Sequence, residues 1–314
     1  MWRGKRVAVI FPTYNEKDSI RAATLDYFAT GLADEVIVVN NNAAPGTSEE
    51  LLGTGAREIF ESKQGYGNAL LRGIDECTAD LIVLSEPDGT FSAHDLIKLL
   101  AYSDDVPVVF GTRTTREFIW AGANMGWFLR WGNFAVAKMT EFLFNTTLLT
   151  DMGCTLRLFR REALELIRPR LTIGGSHFGP QLLLETVAHR IPFVEIPVNY
   201  RERVGESSVT GDLWKAFRLG MRMIALVLEY RFVHSWEARE RWAPRVDGAR
   251  DLEALAESIG AVSSGAREHG LGGANAQRVR QLGNDHGQEQ GGEDAAVGVA
   301  GGERQIGKRQ DRHQ

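Results

Sequence analysis

Short apolar runs punctuate the first two thirds of the chain, at Val7–Phe11, Glu35–Asn40, Asp80–Ser85, Val106–Gly111 and Val194–Val198. Each is almost wholly apolar and rich in β-branched residues, instead of alternating apolar with polar. That pattern predicts strands buried on both faces of a parallel sheet. Between them, apolar positions recur at helical spacing over Lys17–Thr30, Gly67–Cys77 and Ala93–Tyr102. Alternation of this kind predicts an α/β fold, with a mostly parallel central sheet and helices on both faces. Ligands of such sheets gather at the carboxyl ends of the strands.

Further on, Trp214, Phe217, Met221, Ile224 and Leu228 recur every three or four residues, beside a row of Lys215, Arg218 and Arg222. This predicts an amphipathic helix over 211–231 that either covers the domain or lies on a membrane surface. After Trp242 there is no aromatic residue, and Gly, Gln, Arg, Glu and Ala dominate. Such a segment buries too little apolar area to offset its ordering entropy. The expected organisation is one domain over 1–241 and a mostly disordered tail over 242–314, with one short helix near 251–259.

Composition narrows the function. The 314 residues carry a formal charge of −5, which gives no general attraction to nucleic acid. Only two cysteines are present, Cys77 and Cys154, without metal-type spacing. The opening MWRGKRVAVIFP reaches Pro12 after a few apolar residues and reads as a first strand, not a signal peptide. The longest apolar stretch, Met221–Val233, is interrupted by Arg222, Glu229 and Arg231, and a membrane span needs about 18 or more uncharged apolar residues. The expected location is cytoplasmic, with any membrane attachment peripheral.

The strand ends carry the chemistry. The first closes in FPTYNE and the second in VVNNNAAPGT, where three asparagines suit turn backbone and polar ligands. Then KQGYGNAL places Gly65 and Gly67 ahead of a helix, whose N-terminus offers free N–H groups to an anion. In VLSEPDGTF, Glu86 and Asp88 stand two positions apart at the end of an apolar strand. Both can reach one divalent cation, which commonly takes one or two carboxylates plus substrate phosphates. The dinucleotide and phosphate-loop glycine motifs are absent, which disfavours hydride transfer and phosphate-loop ATPases. No histidine pairs with a cysteine or acid at ligand spacing. Arg160-Arg161 reads as a solvated helix start, and Cys154 as a small core residue.

The order FPTYNE, VVNNNAAPGT, QGYGNAL, EPDGTF, FGTR, LTDMGCTLRLFRREAL and EIPVNYRERVGESSVTG resembles the inverting family-two glycosyltransferases of GT-A-type fold. It is most similar to their dolichyl-phosphate-mannose-synthase-like branch, over about residues 5 to 233. The resemblance implies a nucleotide-binding turn at Pro12, Tyr14 and Glu16, and metal-holding acids at Glu86 and Asp88, with Thr90 nearby. It implies arginines near an acceptor phosphate at Arg113 and Arg130, and an active-site acid at Asp151. Arg201, Arg203 and Ser207 match the stretch that closes over the donor. The sequence departs from the family at Asn40 and Asn41, where acids are usual near the nucleotide. It departs again at Tyr66, where the family has lysine before Gly67.

The implied reaction moves a hexose from a UDP- or GDP-sugar, with Mg²⁺ or Mn²⁺, to an acceptor that attacks the anomeric carbon. A hydroxyl acceptor needs a general base, for which Asp151 is the candidate. A phosphate acceptor is already anionic and needs cationic positioning. Arg113, Arg116, Arg130 and Lys138 lie in or near an aromatic segment holding Trp120, Trp127, Phe128, Trp131 and Phe134. That mixture suits a polyprenyl phosphate at a membrane surface. Transfer to a glycan or metabolite hydroxyl, and a non-catalytic sugar-nucleotide sensor prompted by Asn40 and Asn41, are the alternative readings.

Overall fold

The computed structural model describes residues 1–123, 127–205, 213–233 and 241–243. Ser207 and the expected tail, with its short helix, lie outside them. The described residues fall within one compact unit, Met1–Ala243.

The chain order is β1 (Val7–Thr13), α1 (Lys17–Ala29), β2 (Glu35–Asn40), α2 (Thr47–Leu51), β3 (Arg57–Phe60), α3 (Tyr66–Glu76) and β4 (Leu81–Leu84). Then come α4 (Leu96–Tyr102), β5 (Val108–Thr112), α5 (Trp127–Phe144), β6 (Arg157–Arg160), α6 (Arg161–Ile167), α7 (Phe178–Ala188), β7 (Phe193–Pro197) and α8 (Leu213–Phe232). The seven strands form one sheet in the order β3-β2-β1-β4-β6-β5-β7. All pairings are parallel except those of β6, which runs antiparallel between β4 and β5.

The apolar runs are buried on both faces, as their composition predicts. Ala8, Ile10, Ile37, Val39, Ile82 and Leu84 share one core with α3, α6 and α7. Val7, Val9, Phe11, Val36, Val38, Leu81 and Val83 share the other with Ile20 and Tyr27 of α1 and Leu96, Leu99 and Leu100 of α4. Odd and even residues of β1 thus divide between the two faces, as strand geometry requires. A Cβ on Gly73 of α3 would stand 2.5 Å from Ile10 Cγ2, so glycine lets this helix lie close on the sheet.

Two strands escaped the sequence pattern. β3 (REIF) and β6 (RLFR) have four residues each and begin with an arginine. The Arg160-Arg161 pair is not a solvated helix start. Arg160 donates to the carbonyls of Ser103 and Asp104, and Arg161 to those of Cys77 and Ala79, so both guanidinium groups tie β6 and α6 to neighbouring loops. Cys154 is a buried core residue, as expected.

The topology locates the crevice. From β1 the chain adds β2 and β3 on one side, while β4 lies on the other. The loops after β1 and β4 therefore leave the sheet side by side at the point where the strand order reverses. Open α/β sheets bind ligands there.

Candidate active site

The loop after β1 is organised by Glu16. Its Oε2 accepts the backbone N–H of Tyr14 at 2.7 Å and of Asn15 at 2.9 Å. The loop after β4 is organised by Asp88, which is fully buried. Asp88 Oδ1 accepts the Thr90 backbone N–H at 2.9 Å and the Thr90 hydroxyl at 2.5 Å. Arg203 joins the two loops, with Nη2 3.0 Å from Asp88 Oδ2 and 3.5 Å from Glu16 Oε1.

The segment that brings Arg203 here runs along the β4 turn. Arg201 N–H donates to Thr90 O at 2.8 Å, and Val204 N–H to Asp88 O at 2.9 Å. Asp95 anchors the segment at its start, accepting from the backbone and side chain of Asn199. The Arg201 guanidinium lies 4.7 Å from the centre of the Trp120 ring and donates to Ser92 Oγ at 3.1 Å. Its Nε is buried without a hydrogen-bond partner among the described residues. That unsatisfied cationic donor, beside the paired acids, matches an anionic ligand.

Glu86 stands half-buried next to Asp88. Burial first, and then the negative charge of Asp88, push its carboxyl up to about 8, against the pull of Arg203 and Arg113. Two carboxylates this close resist carrying charge together. A divalent cation removes that conflict, and Asp88 Oδ2, which has only the ion pair to Arg203, has lone-pair capacity for one. Two carboxylates with substrate phosphates completing the shell suit Mg²⁺ or Mn²⁺, so the donor set fits the group. Among the described residues no cluster of three or more His, Cys, Asp or Glu side chains forms a self-sufficient metal site.

Asp151 is buried, and Arg113 surrounds it. Asp151 Oδ2 accepts Arg113 N at 3.0 Å and Nε at 2.8 Å, while Oδ1 accepts Arg113 Nη2 and Gly153 N, each at 3.0 Å. Burial pushes the Asp151 carboxyl up, but Arg113 outweighs it and holds the group below the usual carboxylate range. Four donors thus occupy a carboxylate that stays ionised. Tyr200 ties this pair to the acids. Its ring lies 5.2 Å from the Arg113 guanidinium, and its hydroxyl responds to the charges of Arg113, Glu86 and Asp88.

Sequence reasoning missed what lies beneath. Glu195 of β7 accepts Asp151 N at 2.9 Å, Thr150 N at 2.7 Å and Thr150 Oγ1 at 2.6 Å. Burial pushes its carboxyl up to about 7. The Thr150 hydroxyl also lies within 2.9 Å of those of Thr112 and Thr114. Arg130 of α5 joins this layer by donating to Thr114 O at 3.0 Å. The available signal was a lone acid inside the apolar stretch FVEIPV.

Other expected residues are placed differently from a ligand-facing role. Asn41 Nδ2 donates to the carbonyls of Glu61 and Lys63, and its Oδ1 accepts from Gln64 and Gly65. Asn40 Nδ2 donates to Glu58 Oε1 and Ser48 Oγ, and its Oδ1 accepts Ala43 N. Both amides are thus engaged within the protein and shape two strand-end loops. The α3 N-terminus is not an open anion cradle either, because Gly174 O accepts Asn68 N–H at 3.2 Å. A Cβ on Gly67 would stand 2.1 Å from Ile173 O, so close backbone packing demands that glycine. Lys138 pairs with Glu141 at 2.7 Å. Pro12 is buried at the end of β1, and the half-exposed Tyr14 follows it.

Residues 8–168 match the profile of glycosyl transferase family 2. A dolichyl-phosphate hexose transferase of Haloferax volcanii is 30% identical over 228 residues, covering 72% of this chain and 95% of the relative. An uncharacterized glycosyltransferase of Mycobacterium tuberculosis is 30% identical over 216 residues, covering 67% of this chain and 92% of the relative. The protein is therefore a glycosyltransferase and belongs to family two. Its fold is of GT-A type. Glucosyl-3-phosphoglycerate synthase of Mycobacterium tuberculosis, solved with Mn²⁺, UDP-glucose and phosphoglyceric acid, superposes with a TM-score of 0.57 at 17% identity, over 76% of this chain and 87% of that one. The same synthase has also been solved with Mg²⁺ and UDP.

Proposed function

We propose that this chain transfers a hexose, with inversion, from a UDP- or GDP-hexose to a polyprenyl phosphate. The observation that carries the choice of acceptor is the saturated Asp151 carboxylate. A hydroxyl acceptor needs a base with a free lone pair and a proton affinity near the working pH. Asp151 has neither. Its four hydrogen bonds fix the direction of Arg113 instead. A phosphate acceptor requires no base, and a rigid guanidinium is well suited to hold its oxygens. The relative that acts on dolichyl phosphate supports the same reading.

In this reading Glu86 and Asp88 hold Mg²⁺ or Mn²⁺, which neutralises the charge of the donor diphosphate as it leaves. Arg203 keeps the first and fourth strand-end loops in register around the donor. Arg201 presents its unsatisfied Nε to the diphosphate, and Ser207 follows in the same segment. Pro12, Tyr14 and Glu16 shape the nucleotide turn, while Asn40, Asn41 and Gly67 shape the loops beside it. Arg113 places the acceptor phosphate, Asp151 and Glu195 position Arg113, and Arg130 adds a second cation on the acceptor side.

The test is a donor screen. Purified protein is given UDP- and GDP-hexoses with Mg²⁺ or Mn²⁺ and a short-chain polyprenyl phosphate. Release of nucleoside diphosphate that requires the lipid phosphate and stops on chelation is the expected result. Donor binding without turnover on any acceptor would favour a sugar-nucleotide sensor.

A further inference from the structure

Helix α8 has two apolar faces where a surface helix needs one. Its inner face is Met223, Leu226, Val227 and Tyr230, all buried in the core shared with α5 and α7. Surface helices normally turn polar residues to the opposite side. Here that side is Trp214 (66% exposed), Phe217, Met221, Leu228 and Phe232 (72% exposed). At 3.6 residues per turn these five fall on one stripe, running about 27 Å along the helix. No charged residue interrupts the stripe. Trp214 and Phe217 stack with ring centroids 5.6 Å apart. Arg218 and Arg222, both exposed, lie along one edge.

We propose that this outer face of α8 docks the enzyme on a bilayer containing anionic lipid, with the helix axis parallel to the membrane plane. Three observations select a membrane. Among the described residues no element covers the stripe. The flanking arginines complement anionic headgroups, and an aromatic and aliphatic ridge beside a basic edge is what an interfacial helix presents. No described helix is long and apolar enough to cross a membrane, so attachment through this chain's described helices must be lateral. The inference rests on the lipid-phosphate reading of the active site, and gives it a geometry. A polyprenyl phosphate is held in a bilayer, and α8 packs on α5, the helix that bears Arg130 and the exposed Trp131. Docking through α8 therefore brings the acceptor-side helix to the membrane.

The test separates docking from turnover. The full chain is sedimented with vesicles of phosphatidylcholine alone or mixed with phosphatidylglycerol. The expected result is binding that is strongest to the mixed vesicles and weakened by salt. The combined W214S, F217S and M221S variant should bind at least about tenfold more weakly, while R218E with R222E should lose the preference for phosphatidylglycerol. Both variants should keep wild-type turnover on a short polyprenyl phosphate in detergent, because none of these residues belongs to the site. Wild-type binding to neither vesicle, or equal binding by the triple variant, overturns the proposal. So does a concentration-dependent dimer, abolished by the same substitutions, that takes the place of vesicle binding. Vesicle binding without turnover leaves docking standing and removes the acceptor reading instead.

Discussion

Asp151 grips Arg113 with both carboxylate oxygens, Oδ2 to Nε at 2.8 Å and Oδ1 to Nη2 at 3.0 Å. Glu195 fixes the backbone beneath them by accepting Asp151 N at 2.9 Å. A carboxylate used in this way orients a cation and has no lone pair left for a substrate proton.

Arg113 and Asp151 should therefore behave as one unit. Asp151→Asn is expected to lower kcat/KM on a polyprenyl phosphate by about 10²-fold, the scale of a misplaced positioning group. Arg113→Ala should cost a similar factor, and the double variant little more than the worse single one. Breaking a buried pair also costs about 3–5 kcal/mol of stability, so thermal melts must accompany the kinetics. Fully additive losses in folded variants would show that the two residues act separately.

Arg203 spans the two loops of the crevice, 3.0 Å from Asp88 and 3.5 Å from Glu16. Arg203→Met retains much of the stem and removes the bridge. Donor affinity, measured by calorimetry with metal present, should fall by about tenfold or more, because the loops lose their shared cation and the diphosphate loses a nearby positive charge. Unchanged affinity would mean that the bridge only decorates the site.

The Glu86 carboxyl, pushed up to about 8, makes metal binding depend on pH. Below that value the group is protonated, and a cation must displace the proton. Apparent Mn²⁺ affinity should therefore rise with pH, by up to about tenfold per unit, and level off above about pH 8. Titrations between about pH 6 and 9 check the trend, and Glu86→Gln should flatten and weaken it. A flat profile in the unaltered protein would place the metal away from Glu86.

Asn41 is the clearest departure from its family, and its amide explains why an acid does not fit. Nδ2 donates to Glu61 O at 2.7 Å and Lys63 O at 2.9 Å. Asn41→Asp sets a carboxylate against two carbonyl oxygens and should destabilise the fold by about 1–3 kcal/mol, read from denaturant unfolding. A variant as stable as the parent would return Asn41 to the list of residues free to contact the nucleotide.

How far the sequence reaches can be judged from particular elements. β1, β2, β4, β5 and β7 were legible because burial on both faces leaves nearly uninterrupted apolar runs. β3 and β6 were not, since four residues led by arginine carry no such signature and β6 is defined by its antiparallel place between β4 and β5. Glu86, Asp88, Arg113 and Asp151 were legible as residues at strand ends. Their division of labour was not, because it depends on which lone pairs are already taken, a property of tertiary contacts. Glu195 and the hydroxyls of Thr112, Thr114 and Thr150 form a network between segments far apart in the chain. On α8 the sequence pattern found one apolar stripe and left two roles open for the helix. The structure gives covering the core to Met223, Leu226, Val227 and Tyr230, and leaves Trp214, Phe217, Met221 and Leu228 on the outside.

The most direct test of the central claim compares two acceptors that differ in one group. Short-chain polyprenyl phosphate and the corresponding polyprenol are offered in detergent with the donor selected by the screen, metal present, and products are read by mass spectrometry. The predicted result is an inverted hexosyl phosphodiester from the phosphate and no product from the alcohol, with the phosphate reaction abolished by Asp88→Ala. Efficient glycosylation of the alcohol, sensitive to Asp151→Asn, would contradict the account and return Asp151 to the role of base.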